Sequence, residues 1–128
     1  MRALLDAHAL LWWGTDDDRL SASARAVLAD GTNELYVSVA SIWELAIKHH
    51  KGDLELPREV GVFIDERLRR NRWSSLPIDQ RHVIRAAELP TIHRDPFDRM
   101  LVAQAQIEGM PIVTTDAAIT RYDVATIW

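Results

Sequence analysis

The sequence predicts a three-layer α/β/α domain with a mainly parallel central sheet, and three observations lead there. Short apolar runs rich in β-formers are separated by longer helical stretches, which implies parallel strands joined by right-handed crossovers. At 128 residues the chain fits one domain, taken as 1–128, large enough to bury roughly two-thirds of its unfolded surface. A composition of 48% hydrophobic and 27% charged residues is that of an ordinary globular protein.

The elements follow in order. Ala3–Leu5 is a short apolar strand ending at Asp6, and a helix runs through Ala7–Trp13. Residues 14–18 form a polar loop, after which Ser21 caps a helix to about Ala29. Gly31-Thr32-Asn33 turns into the strand Glu34–Val37, where Tyr36 and Val37 favour β structure. Ser38 or Ser41 starts a helix through about Lys51, with Gly52 at its C-terminal stop. Pro57 precedes a helix over about Glu59–Asn71, and Trp73–Ile78 reads as extended. Asp79 caps a helix ending near Leu89-Pro90; Asp95-Pro96 opens another to Glu108-Gly109, with proline at the first helical position. Pro111–Thr114 and Val124–Ile127 are the last strands. No repeat, low-complexity tract or interdomain linker interrupts this alternation.

The absence of cysteine excludes a disulfide framework and thiolate zinc sites, and is compatible with a cytoplasmic protein. MRALLDAHALLWW is interrupted by Asp6 and His8 and reads as strand and helix, not as a signal peptide. No run approaches the ~18 apolar residues of a membrane span. A pI near 5.7 argues against a broad basic surface for nucleic acid. A local one remains, since Arg67, Arg69, Arg70 and Arg72 precede Trp73 within nine positions. Its plainest reading is a solvated helix face; its functional reading is an RNA backbone contact with Trp73 as a stacking face.

Asp6 and Asp116 follow two expected strands, and Glu44 and Asp98 lie in the early turns of two helices. Parallel sheets bind ligands beyond the carboxyl ends of their strands, so one shared site is allowed. Mg²⁺ takes oxygen ligands from separate segments readily. The formal charge of −4 equals this quartet; without it acids and Lys+Arg balance at 15 each. Each acid has a structural explanation too. Asp6 caps a helix, Glu44 pairs with Lys48, Asp98 favours a positive helix end, and Asp116 is a turn residue. Asp98 fits its explanation least, because on a 3.6 period it shares a stripe with Leu101, Val102 and Ala105. Carboxylates ~5 Å apart repel by roughly 3 kcal/mol per pair at an effective dielectric of about 20. A converged quartet therefore takes up protons or holds metal.

With LLDAHALLWW at 4–13, SVASIWELAIK at 38–48, HRDPFDRMLVAQA at 93–105 and PIVTTD at 111–116, the chain resembles the PIN-domain proteins. The resemblance is closest to the VapC-type ribonuclease toxins of toxin–antitoxin modules, and it covers essentially the whole chain. It implies an acidic site binding one or two Mg²⁺ or Mn²⁺ ions, with the family's acids falling on Asp6, Glu44, Asp98 and Asp116 and its hydroxyl on Thr114. Asp6 and Asp98 are then the first direct ligands, with Asp95 mainly a helix cap and Arg99 an ion-pair or substrate group. The resemblance further implies an RNA substrate, a homodimer, and a cognate antitoxin that blocks the groove. The histidines form no zinc spacing, and only His93 adjoins the acidic motif. Trp12, Trp13, Trp43 and Trp73 read as core or subunit-interface residues. Two rivals stand beside the nuclease: a non-catalytic PIN-like module binding RNA or protein, and a Mg²⁺-dependent phosphatase. The second lacks its motif, since LLDAH carries one acid and no P-loop is present.

Overall fold

A computed structural model describes residues 1–128. Five strands, β1 (Arg2–Leu5), β2 (Glu34–Ser38), β3 (Ser74–Leu76), β4 (Ile112–Val113) and β5 (Thr126–Ile127), form one sheet in the order β3-β2-β1-β4-β5. Every pairing is parallel, so the expected mainly parallel sheet is parallel throughout. Six α-helices connect them: α1 (Ala7–Gly14), α2 (Ala22–Ala29), α3 (Val39–His50), α4 (Val60–Asn71), α5 (Gln80–Glu88) and α6 (Pro96–Glu108). A 3₁₀ turn spans Ile119–Arg121. The last strands are shorter than their apolar runs suggest.

Alternation along the strands explains the three layers. Ala3, Leu5, Leu35, Val37 and Val113 face a core shared with residues of α1–α4, such as Leu10, Leu28, Leu45 and Phe63. Leu4 and Ile112 face the opposite way, onto a second core with Ala86 of α5 and Leu101, Val102 and Ala105 of α6. Strands covered on both faces read as continuous apolar runs.

Helix starts follow the expected caps. Ser21, Ser38 (rather than Ser41) and Asp95 accept from backbone N–H groups at the heads of α2, α3 and α6. Asp79 caps α5 in a box completed by His82. Gly109, at φ 67°, ends α6 in a left-handed conformation that costs glycine little. Arg72 takes the same conformation after α4 at φ 57°. No helix is long and apolar enough to cross a membrane.

β1 lies between β2 and β4, and the chain passes from one side of it to the other between β3 and β4. The carboxyl ends of β1 and β4 therefore meet at a topological switch point, the place where open parallel sheets leave a crevice.

Candidate active site

Asp6 leaves β1 at this point and is buried, with 4% of its surface exposed. Its Oδ1 accepts from Ala9 N–H at 2.7 Å, so its capping role is real, but only one oxygen serves it. Oδ2 accepts from the Thr114 hydroxyl at 2.5 Å. Burial raises the Asp6 pKa, the Thr114 and Ala9 hydrogen bonds oppose that, and the charge of Asp116 adds to it. Thr114, itself buried, also accepts from Asp116 N–H at 3.1 Å. One hydroxyl thus ties the ends of β1 and β4.

Asp98 and Asp116 meet at His93. The His93 Nε2 lies 2.9 Å from Asp98 Oδ2 and 3.2 Å from Asp116 Oδ2, and single ligand atoms of the three lie within 4.8 Å of one another. Asp95 N–H donates to His93 Nδ1 at 3.2 Å. Nδ1 is therefore the acceptor and Nε2–H the donor, so one proton serves two carboxylates. Burial, and then the charges of Asp95, Glu44 and Asp116, push the Asp98 pKa up to about 7, with His93 pulling against them. Partial burial works against the Asp116 carboxylate as well, but the His93 and Ala118 hydrogen bonds outweigh it and leave its pKa low. Asp98 does sit on the stripe of Leu101, Val102 and Ala105, all buried, as its spacing implies.

Glu44 stands outside this trio, yet near enough for its charge to act on Asp98. Its expected partner is present: Lys48 Nζ is 3.0 Å from Glu44 Oε2. Asp95 accepts from Phe97 N–H as the cap of α6. Trp43 and Phe97, the sequence neighbours of Glu44 and Asp98, pack edge to face with centroids 5.3 Å apart, and Trp43 is 62% exposed.

Several expectations need correction. Arg99 makes no ion pair. Its guanidinium donates to the carbonyls of Ala86, Leu89, Pro90 and His93 and to the Tyr122 hydroxyl, closing the C-terminal end of α5. Both terminal nitrogens are occupied by these carbonyls and the Tyr122 hydroxyl. Arg67 turns inward: its guanidinium lies over Phe63 at 5.1 Å and against Gly14, where a Cβ would come within 3.0 Å of Nε. Arg70 and Arg72 line a cavity of about 380 Å³ with Asp30, Asn33 and Trp73, next to the start of β2. Arg69 lies in the last turn of α4, which leads into the start of β3. These are amino ends of strands. β2, with five residues at ~3.3 Å each, separates them from the acids by roughly 13–17 Å. The arginine segment does not border the acidic crevice. Trp73 is buried in the core, as its packing reading expects, while Trp12 and Trp13 are partly buried.

His93 is the contact that spacing flagged and did not place, since its partner Asp116 lies 23 residues away. A second cluster, Asp79, His82 and Glu108, is a helix cap. There His82 Nδ1 accepts from Asp79 N–H and Nε2 faces Glu108 at 2.9 Å, so both ring nitrogens are satisfied.

The donors around the crevice fit a hard divalent cation. Most are carboxylate oxygens from separate segments, and the burial and neighbouring carboxylates that raise the Asp98 pKa are what a bound cation would offset.

Residues 3–125 match the model of the PIN domain. Ribonuclease VapC22 of Mycobacterium tuberculosis (strain ATCC 25618 / H37Rv) is 28% identical over 129 residues, covering 98% of this chain and 97% of that one. Ribonuclease VapC16 of the same strain is 37% identical over 68 residues, and the match spans 50% of this chain but only 48% of that relative. Among solved structures, VapBC2 from Rickettsia felis bound to a DNA fragment from its promoter aligns with a TM-score of 0.71 at 14% identity, covering 98% of this chain and 97% of that one. A match over nearly the whole length, on a fold with acids gathered at its switch point, places this chain in the PIN domain family.

Proposed function

We propose that the protein is a metal-dependent endoribonuclease that hydrolyses RNA phosphodiester bonds and acts as the toxin of a toxin–antitoxin pair. The observation that carries this reading is the convergence of Asp6, Asp98 and Asp116 through Thr114 and His93 at the carboxyl ends of β1 and β4. The relatives named ribonucleases supply the reaction class. Mg²⁺ is the expected ion and Mn²⁺ its substitute, held by Asp6 and Asp98 with Asp116 and Glu44 completing the set. When bound, such an ion acidifies water and neutralises charge on the phosphate.

The chain's own residues supply the order of the site. Thr114 fixes the rotamer of Asp6 and the backbone of Asp116 with one hydroxyl, so neither acid has to be oriented when substrate arrives. The Ala9 N–H holds the other Asp6 oxygen at the positive end of α1. His93 carries a proton between Asp98 and Asp116 and keeps two close carboxylates apart in charge. Lys48 neutralises Glu44 at the edge of the crevice.

Partners follow from the family reading: an RNA substrate, a cognate antitoxin, a second copy of the chain as homodimer, and a cytoplasmic setting. The VapBC2 assembly, with a matching fold, supports the pairing with a second protein. The rival is a binding module that retains its acids for stability. Cleavage of labelled total RNA by protein freed of any partner, with Mg²⁺, Mn²⁺ or EDTA, separates the two. Discrete metal-dependent fragments that vanish in Asp6→Asn and Asp98→Asn support the nuclease. RNA binding without cleavage, unchanged by both substitutions, supports the module.

A further inference from the structure

Beside the acids, on the α1 side, lies a cavity of about 250 Å³. It adjoins the crevice at two points. Ala7 in its wall follows Asp6 directly, and Lys48 in its wall is the partner of Glu44. It is also at the carboxyl end of the sheet, since its Trp12 packs edge to face against Trp128, the residue after β5. The arginine-lined cavity is at the opposite end.

The walls are of unlike chemistry. Trp12 provides an indole plane, on which His8 is stacked at 5.3 Å and 25° and over which the Arg19 guanidinium sits at 4.7 Å. Leucines complete the apolar lining, while Lys48 offers a donor and Asp53 an acceptor. His8 and Arg19 are exposed, so their stacking on Trp12 is not forced by burial. At 250 Å³ the space is below the ~300–1,000 Å³ usual for drug-sized ligands. A single planar ring system suits it. Flat aromatic and guanidinium faces with a few polar atoms are what an unstacked nucleobase meets in single-stranded RNA sites.

We infer that this cavity is a base subsite, in which one nucleobase next to the scissile phosphate lies against the wall that Trp12, His8 and Arg19 build together. The inference rests on the nuclease reading and adds the sequence preference that the acids by themselves lack. Asp53 accepts from an exocyclic amino group and Lys48 donates to a ring carbonyl, so the base is one that carries both, guanine or cytosine, in preference to adenine or uracil.

The test is a mutant cycle between protein and RNA. Short RNAs spanning a mapped cleavage site, each with one nucleotide replaced by an abasic residue, are bound to the protein in EDTA and followed by fluorescence anisotropy. One abasic position, a guanine or cytosine in the intact RNA, weakens wild-type binding about 5- to 150-fold, the range of base–aromatic stacking. Trp12→Ala binds intact and abasic RNA equally, Trp12→Phe retains most of the difference, and the exposed-site variants His8→Ala and Arg19→Gln each lose part of it while melting as the wild type does. Equal losses on both RNAs in Trp12→Ala, with the abasic penalty intact in His8→Ala and Arg19→Gln, overturn the subsite. So does loss of antitoxin binding by these variants with RNA binding unchanged, which gives the cavity to a protein partner. If the wild type cleaves RNA and no abasic position couples to Trp12, only the subsite falls. If it neither binds nor cleaves RNA, the nuclease reading falls with it.

Discussion

The Thr114 hydroxyl donates to Asp6 Oδ2 at 2.5 Å and joins residues 108 positions apart. The Thr114 hydroxyl oxygen in turn accepts from Asp116 N–H, so a side chain with no acid of its own sets the positions of two acids. Thr114→Val keeps the shape and removes both interactions. Metal affinity and cleavage are expected to fall about 10- to 100-fold, as for other groups that orient metal ligands, and Thr114→Ser is expected to restore most of both. Calorimetric titration with Mn²⁺ checks the first and single-turnover cleavage the second.

The Asp98 carboxyl, raised to about 7 by burial and by Asp95, Glu44 and Asp116, gives the metal-free protein a pH dependence with a definite sign. It binds its proton more tightly folded than unfolded, where the pKa is 3.8. Its contribution to stability is therefore present at low pH and lost as pH rises through about 4 to 7. Melting temperatures in EDTA are expected to fall across that window, and Asp98→Asn is expected to flatten the fall and to melt a few degrees above wild type at pH 8. An Asp98→Asn slope identical to wild type's contradicts this.

Arg99 is a structural residue. Its loss takes the side-chain donor from the Ala86, Leu89 and His93 carbonyls, at about 1–3 kcal/mol for each one left buried and unpaired, while the Pro90 carbonyl keeps Ile92 N–H and the Tyr122 hydroxyl. Some regain water, so Arg99→Gln is expected to lower stability by about 2–4 kcal/mol in urea unfolding. KM for RNA, measured on the folded protein, is expected to stay within twofold.

Arg70 and Arg72 stand at the far end of the sheet from the acids. Arg70→Gln is expected to leave cleavage unchanged at low salt, where a backbone contact would show most clearly. Arg72→Gly relieves a left-handed conformation and is expected to gain up to about 1 kcal/mol in stability with no loss of cleavage. A drop in RNA affinity for either would return the arginine segment to the substrate path.

Much of this protein is legible in its sequence because its signals are local. Asp79, Asp95-Pro96 and Gly109 mark helix ends by chemistry that acts within a few residues, and the doubly covered strands show as apolar runs. Asp98 is legible through its place on an apolar stripe. The local signals stop where direction and distance in space begin. Four arginines beside a tryptophan look like a nucleic-acid patch in one dimension, but α4 delivers them to the amino ends of β2 and β3, and Arg67 faces inward. Arg99 next to Asp98 suggests an ion pair, yet the free carbonyls of α5 compete for it. His93 adjoins the acidic motif in sequence, and only the crossover from β3 to β4 brings Asp116 to it. Glu44 answers to both its readings, paired with Lys48 and still close enough to act on Asp98.

The central claim is that acids from separate segments form one cation site. Titration of Mn²⁺ into partner-free protein at pH 8, followed by electron paramagnetic resonance, tests it most directly. Bound Mn²⁺ is predicted in the wild type, with Mg²⁺ competing it off and with binding lost in Asp6→Asn and Asp98→Asn variants that keep the native fold. Wild-type protein that binds no Mn²⁺, or variants that bind it as the wild type does, would contradict the account.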